Sequence, residues 1–166
     1  MPVQGISPAP PRIFGTYSFQ QITATITGPN GSFPLGAGSA SAEEGITIEP
    51  TGDQATMTIG ADGSGLYSLH ADFSGRFIVR LLLISPTNAL LGAMFEADRS
   101  SAAFFGQNLL VVTDIARGDN ITGQGCAIIR APTLTYAREG GLREWTLSSI
   151  LIHRMLGSGV VQVTTG

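Results

Sequence analysis

Residues 76–99, RFIVRLLLISPTNALLGAMFEADR, constrain this 166-residue chain most, because they set its one convincing helix directly behind a strand. Residues 77–84 are a near-continuous apolar run with Ile78, Val79 and Ile84, which suits a strand buried on both faces. Ser85 then offers a side-chain oxygen to cap a helix. Pro86 suits the first helical position, where its missing N–H costs nothing. Leu90, Leu91, Met94 and Phe95 fall on one stripe of a helix spanning about residues 86–98. The rest of the chain reads as short strands and turns, so the helix is expected to plug one open face of a β-structure.

Glycine and proline punctuate those turns. Residues 17–27 read as the first strand. Tyr17 and Phe19 share one parity and Ile22, Ala24 and Ile26 the other, which asks for a bulge near residues 20–21. Gly28-Pro29-Asn30-Gly31 turns the chain back through residues 32–35. Residues 36–42, GAGSASA, are too small-sided for core, and 36–53 is expected to be a loop that orders only against a neighbouring molecule. A second hairpin is expected between residues 46–49 and 54–59, followed by a loop at 60–65 and a strand at 66–73. Residues 108–115, NLLVVTDI, again look apolar on both faces, and 118–120 turn the chain into 121–130. Residues 133–138 and 142–155 are expected to pair across 139–141. Trp145, Leu147, Leu151 and Met155 then share one face, with Ile150 and Ile152 on the other. One helix cannot cover so much sheet. The pattern predicts a mainly β fold, an antiparallel sandwich or half-barrel with one capping helix, partly covered by neighbouring subunits.

The length suits a single domain at 14–156, between a Pro-rich arm at 1–13 and a tail at 157–166. Charged residues make up 13% of the chain, about half the usual share of roughly 25%, and every basic residue is arginine. A monomer ordinarily disperses itself with lysine and glutamate. A surface with little charge and only arginine has the composition of a protein–protein interface. No apolar run approaches the ~20 residues that cross a membrane, and the first residues lack the apolar segment of a signal peptide, which predicts a soluble protein made in the cytoplasm. A single Cys126 beside His70 and His153 excludes an intrachain disulfide and the usual zinc sites.

Each candidate site has a plainer reading. Glu43 and Glu44 are adjacent and point opposite ways in an extended chain, whereas a glycosidase needs two carboxylates facing one sugar. Asp62 in GADGSG resembles part of a calcium loop without its alternating ligands, and reads as a turn. Gly36-Ala37-Gly38 precedes no helix that could hold a phosphate. Cys126 reads as a small buried hydrophobe. Charge is distributed unevenly. Residues 13–75 hold Glu43, Glu44, Glu49, Asp53, Asp62 and Asp72 and no base, whereas 76–166 hold eight arginines against six acids.

Five stretches in order, Tyr17-Ser18-Phe19, Ala42-Glu43-Glu44-Gly45-Ile46-Thr47-Ile48, Gly60-Ala61-Asp62-Gly63, Ser85-Pro86-Thr87-Asn88-Ala89-Leu90-Leu91 and Glu144-Trp145, resemble a family of bacteriophage proteins that form the inner tube of contractile tails. The likeness covers residues 16–155. It implies a fold similar to the tube protein of type VI secretion systems, with six copies to a ring and rings stacked head to tail into a hollow tube. The implied location is the phage tail of the virion. The implied partners are the tail sheath, baseplate, tail-terminator and tape measure proteins, with DNA passing through the channel unbound. The resemblance implies no cofactor and no catalysis. Within such a tube, Glu43, Glu44, Glu49 and Asp53 are the candidates for inter-subunit contact or for lining the lumen. A tube subunit of a tailocin-like particle fits equally. A glycan-binding β-sandwich appendage is the competing class, but Trp145 alternates in phase with Leu147, as a core residue does. A tail-associated hydrolase needs an acid–base pair that the sequence lacks.

Overall fold

The structure, a computed structural model, describes residues 12–36, 41–159 and 162–163. Its elements are β1 (Ile13–Phe14), a 3-10 turn (Phe19–Gln21), β2 (Ile22–Gly28), β3 (Gly31–Pro34), β4 (Ser41–Pro50), β5 (Ala55–Ile59), β6 (Gly65–Leu69) and β7 (Gly75–Leu82). After these come α1 (Thr87–Arg99), β8 (Asn108–Asp114), β9 (Asp119–Arg130), β10 (Leu142–Ser149), β11 (Leu151–Met155) and β12 (Gln162–Val163). The main antiparallel sheet runs β3-β2-β8-β9-β10-β7-β4, with β11 also on β9. Two ribbons stand apart from it, β5–β6 and β1–β12.

The long strand β9 makes the sheet a sandwich. Its first half pairs with β8 and β11, its second with β10, so the sheet folds over on itself. Ala24, Ile26, Leu110, Val112 and Ile152 from one layer meet Phe77, Val79, Leu81, Ile128 and Leu147 from the other in a single core. Two glycines permit the fold-over. Gly125 adopts φ +63°, which an L side chain resists. A Cβ on Gly123 would sit 2.5 Å from the Phe77 ring, so the layers close only over a bare backbone.

The helix closes the open edge of this core. The helix starts one residue later than expected, at Thr87 with Pro86 in the cap position and already at helical angles, while Ser85 Oγ accepts the Thr87 N–H at 3.3 Å. Thr87, Leu91, Met94 and Asp98 are buried, at a spacing that keeps them on one face. The helix packs over the Trp145 indole at Gly92, and the indole N–H donates to Asn88 Oδ1 at 3.0 Å. At the far end the Asp98 carboxylate accepts from Asn30 Nδ2 at 2.7 Å and from Asn108 Nδ2 at 2.8 Å. The helix is therefore fastened at both ends.

Several expectations are corrected. The parity break near residue 20 is resolved by the 3-10 turn, which Ser18 caps, and the strand begins only at Ile22. β4 pairs with β7 rather than with β5, and β5 turns back on β6 across the GADGSG loop. Residues 46–50, expected in a loop, are thus already paired within one chain, while 37–40 lie outside the described residues. Residues 133–138 form no strand, and β7 occupies the edge of β10 they were expected to take. The helix stripe excludes Leu90, which is 48% exposed, and Phe95 packs only partly on the core beneath the Arg99 guanidinium. β7 and β8 are buried on one face only. Ile78 and Val111 are half-buried and Leu82 and Leu109 exposed, because among the described residues no second layer covers the outside of the sandwich. Ile150 falls between β10 and β11 and resets the alternation, which buries Ile152 and exposes Leu151 and Met155.

Candidate functional site

Among the described residues the side chains that suggested chemistry from sequence alone form no cluster. Asp62 accepts the Ser64 N–H at 3.0 Å and the Ser64 hydroxyl at 3.1 Å, closing the turn between β5 and β6. That backbone N–H, then the hydroxyl, hold its carboxyl below the usual range. His70 sits at the root of the same hairpin, with Nε2 3.3 Å from Thr56 Oγ1, while His153 is exposed on β11. Cys126 is fully buried, its thiol donates to the Gly123 carbonyl at 3.2 Å, and burial pushes its pKa up, as befits a core residue. Glu49 is half-buried on β4, opposite Arg76 in cross-strand register, and Asp53 is exposed just beyond that strand. The backbone of Glu43 and Glu44 belongs to β4, and their side chains lie outside the described residues. Of Gly36-Ala37-Gly38 only Gly36 is described, and the next element is a strand. Among the described residues no three of His, Cys, Asp and Glu converge, and no helix is long and apolar enough to cross a membrane.

The feature that sequence reading missed is the β5–β6 hairpin. Every residue of both strands is exposed. Registration places Ala55 opposite Leu69, Met57 opposite Tyr67 and Ile59 opposite Gly65. One face therefore holds Met57, Ile59, Tyr67 and Leu69, which are 56–88% exposed, while Thr56, Thr58, Ser68 and the exposed Leu66 lie on the other. The alternation of ATMTI was legible, but the expected partner was residues 46–49, not residues 65–69.

A second exposed apolar surface lies where β7 and β10 end side by side. Leu82 pairs with Leu142, and Leu83 N–H donates to the Gly141 carbonyl at 3.1 Å. Ile84 and Leu142 are exposed at this end, as are Leu134 and Tyr136 on the segment between β9 and β10. Arg143, by contrast, points inward and is 6% exposed. Its guanidinium lies 5.4 Å from the Tyr136 ring centre, and among the described residues no carboxylate stands within 4 Å of it. Arg80 and Arg117 do have carboxylates. Arg80 Nε is 3.3 Å from Glu144 and Arg117 Nη1 is 3.5 Å from Asp114.

Among the described residues the features that stand out are exposed apolar surfaces. The family model described as "Bacteriophage PhiTE tail tube protein" matches residues 14–157. No curated protein matches the chain. Among solved structures, the sheath/tube terminator of an extracellular contractile injection system, PVC, in its extended state is 8% identical with a TM-score of 0.56, covering 87% of this chain and 99% of that one. A chain of the anti-feeding prophage baseplate is 10% identical with a TM-score of 0.56, covering 86% and 96%. A chain of the anti-feeding prophage tube-terminating cap is 8% identical with a TM-score of 0.51, covering 95% and 100%. At such identities the shared property is the fold.

Proposed function

The chain belongs to the family of the bacteriophage PhiTE tail tube protein, and from that premise we propose that it is the repeating subunit of a contractile tail's inner tube. Six copies form a ring, rings stack head to tail, and DNA passes along the channel without specific binding. The observation that carries this reading is the family match over residues 14–157, nearly the whole chain. It also favours one tube domain at 14–156, with 1–13 and 157–166 as extensions. Structural likeness to a sheath/tube terminator, a baseplate chain and a tube cap supports a contractile particle, with sheath, baseplate and terminator proteins as partners and the virion tail as location. The tape measure protein belongs to the same proposal. The role is structural, without cofactor or catalysis. Those neighbours come from injection particles, so a tailocin-like tube is the second reading.

Charge has two uses in such an object. Residues 13–75 carry six acids and no base, and residues 76–166 eight arginines against six acids. Acidic and basic ends of successive rings attract, which fixes the polarity of stacking. Carboxylates facing the channel repel phosphates, whereas an arginine lining would hold DNA through counterion release. Glu43, Glu44, Glu49 and Asp53 serve these contacts, with at least one of the three glutamates meeting an arginine of another subunit. Negative-stain microscopy of the purified protein at high concentration tests the reading. Stacked rings with an open centre are expected, and particles that stay monomeric at every concentration would overturn it.

A further inference from the structure

The turn between β2 and β3 holds the one place in the chain where glycine follows asparagine, Asn30-Gly31. Asparagine is among the thermolabile residues, and it reacts most readily before glycine, whose backbone nitrogen no side chain shields. Gly31 is exposed at φ +146°, and a Cβ there would meet nothing within 4 Å, so water reaches the dipeptide freely. The other asparagines lack this setting. Asn88 precedes Ala89 in the helix, Asn108 is buried ahead of Leu109, and Asn120 precedes the branched Ile121 within β9. What sets Asn30 apart further is the partner of its amide. Nδ2, the atom that leaves in deamidation, donates at 2.7 Å to Asp98, a carboxylate 2% exposed in the last turn of α1. A charge-assisted bond of that length holds the side chain toward the helix, away from the Gly31 nitrogen. The carboxylate charge also opposes the approach of an anionic nucleophile to the same amide.

We propose that Asn30 is a deamidation site gated by Asp98, and that its product is a latch that keeps this end of the helix open. When the contact opens, the Gly31 nitrogen, its proton given to hydroxide, attacks Cγ of Asn30. The Cγ–Nδ2 bond breaks, ammonia leaves with a proton from water, and a succinimide ring closes. Water then opens the ring to aspartate or isoaspartate. The net change is one water taken up and one ammonia released, with nothing oxidised or reduced. The new carboxylate cannot resume the old contact, because it would set two like charges at hydrogen-bond distance. Asn108 alone then holds Asp98, and the opening becomes permanent. The chemistry lies within one chain and is independent of the tube.

Peptide mapping after storage at pH 8 tests it. The tryptic fragment of residues 13–76 contains Asn30 as its only asparagine, so aspartate and isoaspartate formed there report on this site. Folded wild type should react far more slowly than the same chain unfolded in urea. Asp98→Ala should react about tenfold or more faster than folded wild type, the shift that loss of one charge-assisted hydrogen bond gives a local opening. Asp98→Asn, which keeps a neutral acceptor, should fall between the two and serves if Asp98→Ala does not fold. Ile128→Ala truncates a core residue 2% exposed and leaves the contact in place, so it controls for lost stability and should react like wild type. Asn30→Asp should melt below Asn30→Ala at neutral pH, since repulsion adds to the lost bond. Folded wild type that reacts as fast as the unfolded chain, or Asp98 variants no faster than Ile128→Ala, would overturn the gate. An Asn30→Asp protein that melts at or above Asn30→Ala would overturn the latch.

Discussion

Replacing Asp98 by alanine tests how the helix is fastened to the sandwich. The carboxylate is 2% exposed and accepts from two asparagine amides, Asn30 at 2.7 Å and Asn108 at 2.8 Å. The two donors do not suffer equally. Asn30 lies on an exposed turn and turns to water when its acceptor is lost. Asn108 is 1% exposed, so its amide is left buried and unpaired at a cost of about 1–3 kcal/mol. Adding the charge-assisted bond to Asn30, and subtracting some relief from no longer burying a carboxylate, Asp98→Ala should cost about 2–4 kcal/mol. That corresponds to a fall in Tm of roughly 5–15 °C for a domain of this size. Asp98→Asn should cost about 1 kcal/mol. Its oxygen still accepts one bond, and Asn108, whose own Oδ1 has no partner, can rotate to accept the other. The assay is thermal melting followed by near-UV circular dichroism, with urea midpoints at constant m. An Asp98→Ala protein that melts within a degree of wild type would mean the helix is not held from this end.

Leu91→Ala should cost about 2–5 kcal/mol in urea denaturation and Leu90→Ala under about 1 kcal/mol, because Leu91 is fully buried and Leu90 is 48% exposed; equal losses would contradict the stripe. A thiol reagent at pH 8 should leave Cys126 unmodified until the protein unfolds, since the thiol is fully buried and its pKa is raised. The Ser64 backbone and the Ser74 hydroxyl hold Asp62 and Asp72 below the ordinary 3.8. For depressed carboxyls the turn stabilisation is fully present above the unfolded pKa and lost as pH falls through the folded one. Chemical shifts of Gly63 and Ser64 should therefore titrate with a midpoint below 3.8; a midpoint at or above 3.8 would refute the assignment.

What the sequence made legible was local. Ser85-Pro86 marked the start of the helix, Gly28 to Gly31 marked a hairpin, and the in-phase Trp145 and Leu147 marked core. Pairing between distant strands was not legible. Residues 46–49 and 54–59 looked like neighbours across a turn, but β4 found β7 and left β5 to β6. Register with a distant strand depends on which partner buries more, and no local turn records that. The apolar runs of β7 and β8 announced two buried faces, and one chain buries one. The other face is left open among the described residues, and in the proposed tube another copy would cover it. Arg143 was equally hidden, since nothing in LREWTL distinguishes an inward arginine from a solvated one.

A helical reconstruction by cryo-electron microscopy of the assembled protein tests the central claim most directly. The account predicts rings of six stacked with one polarity, a continuous open channel of net negative potential, and an arginine of a neighbouring subunit against Glu43, Glu44 or Glu49. Assemblies without a channel, or a lumen lined by arginine with all three glutamates free in solvent, would contradict it.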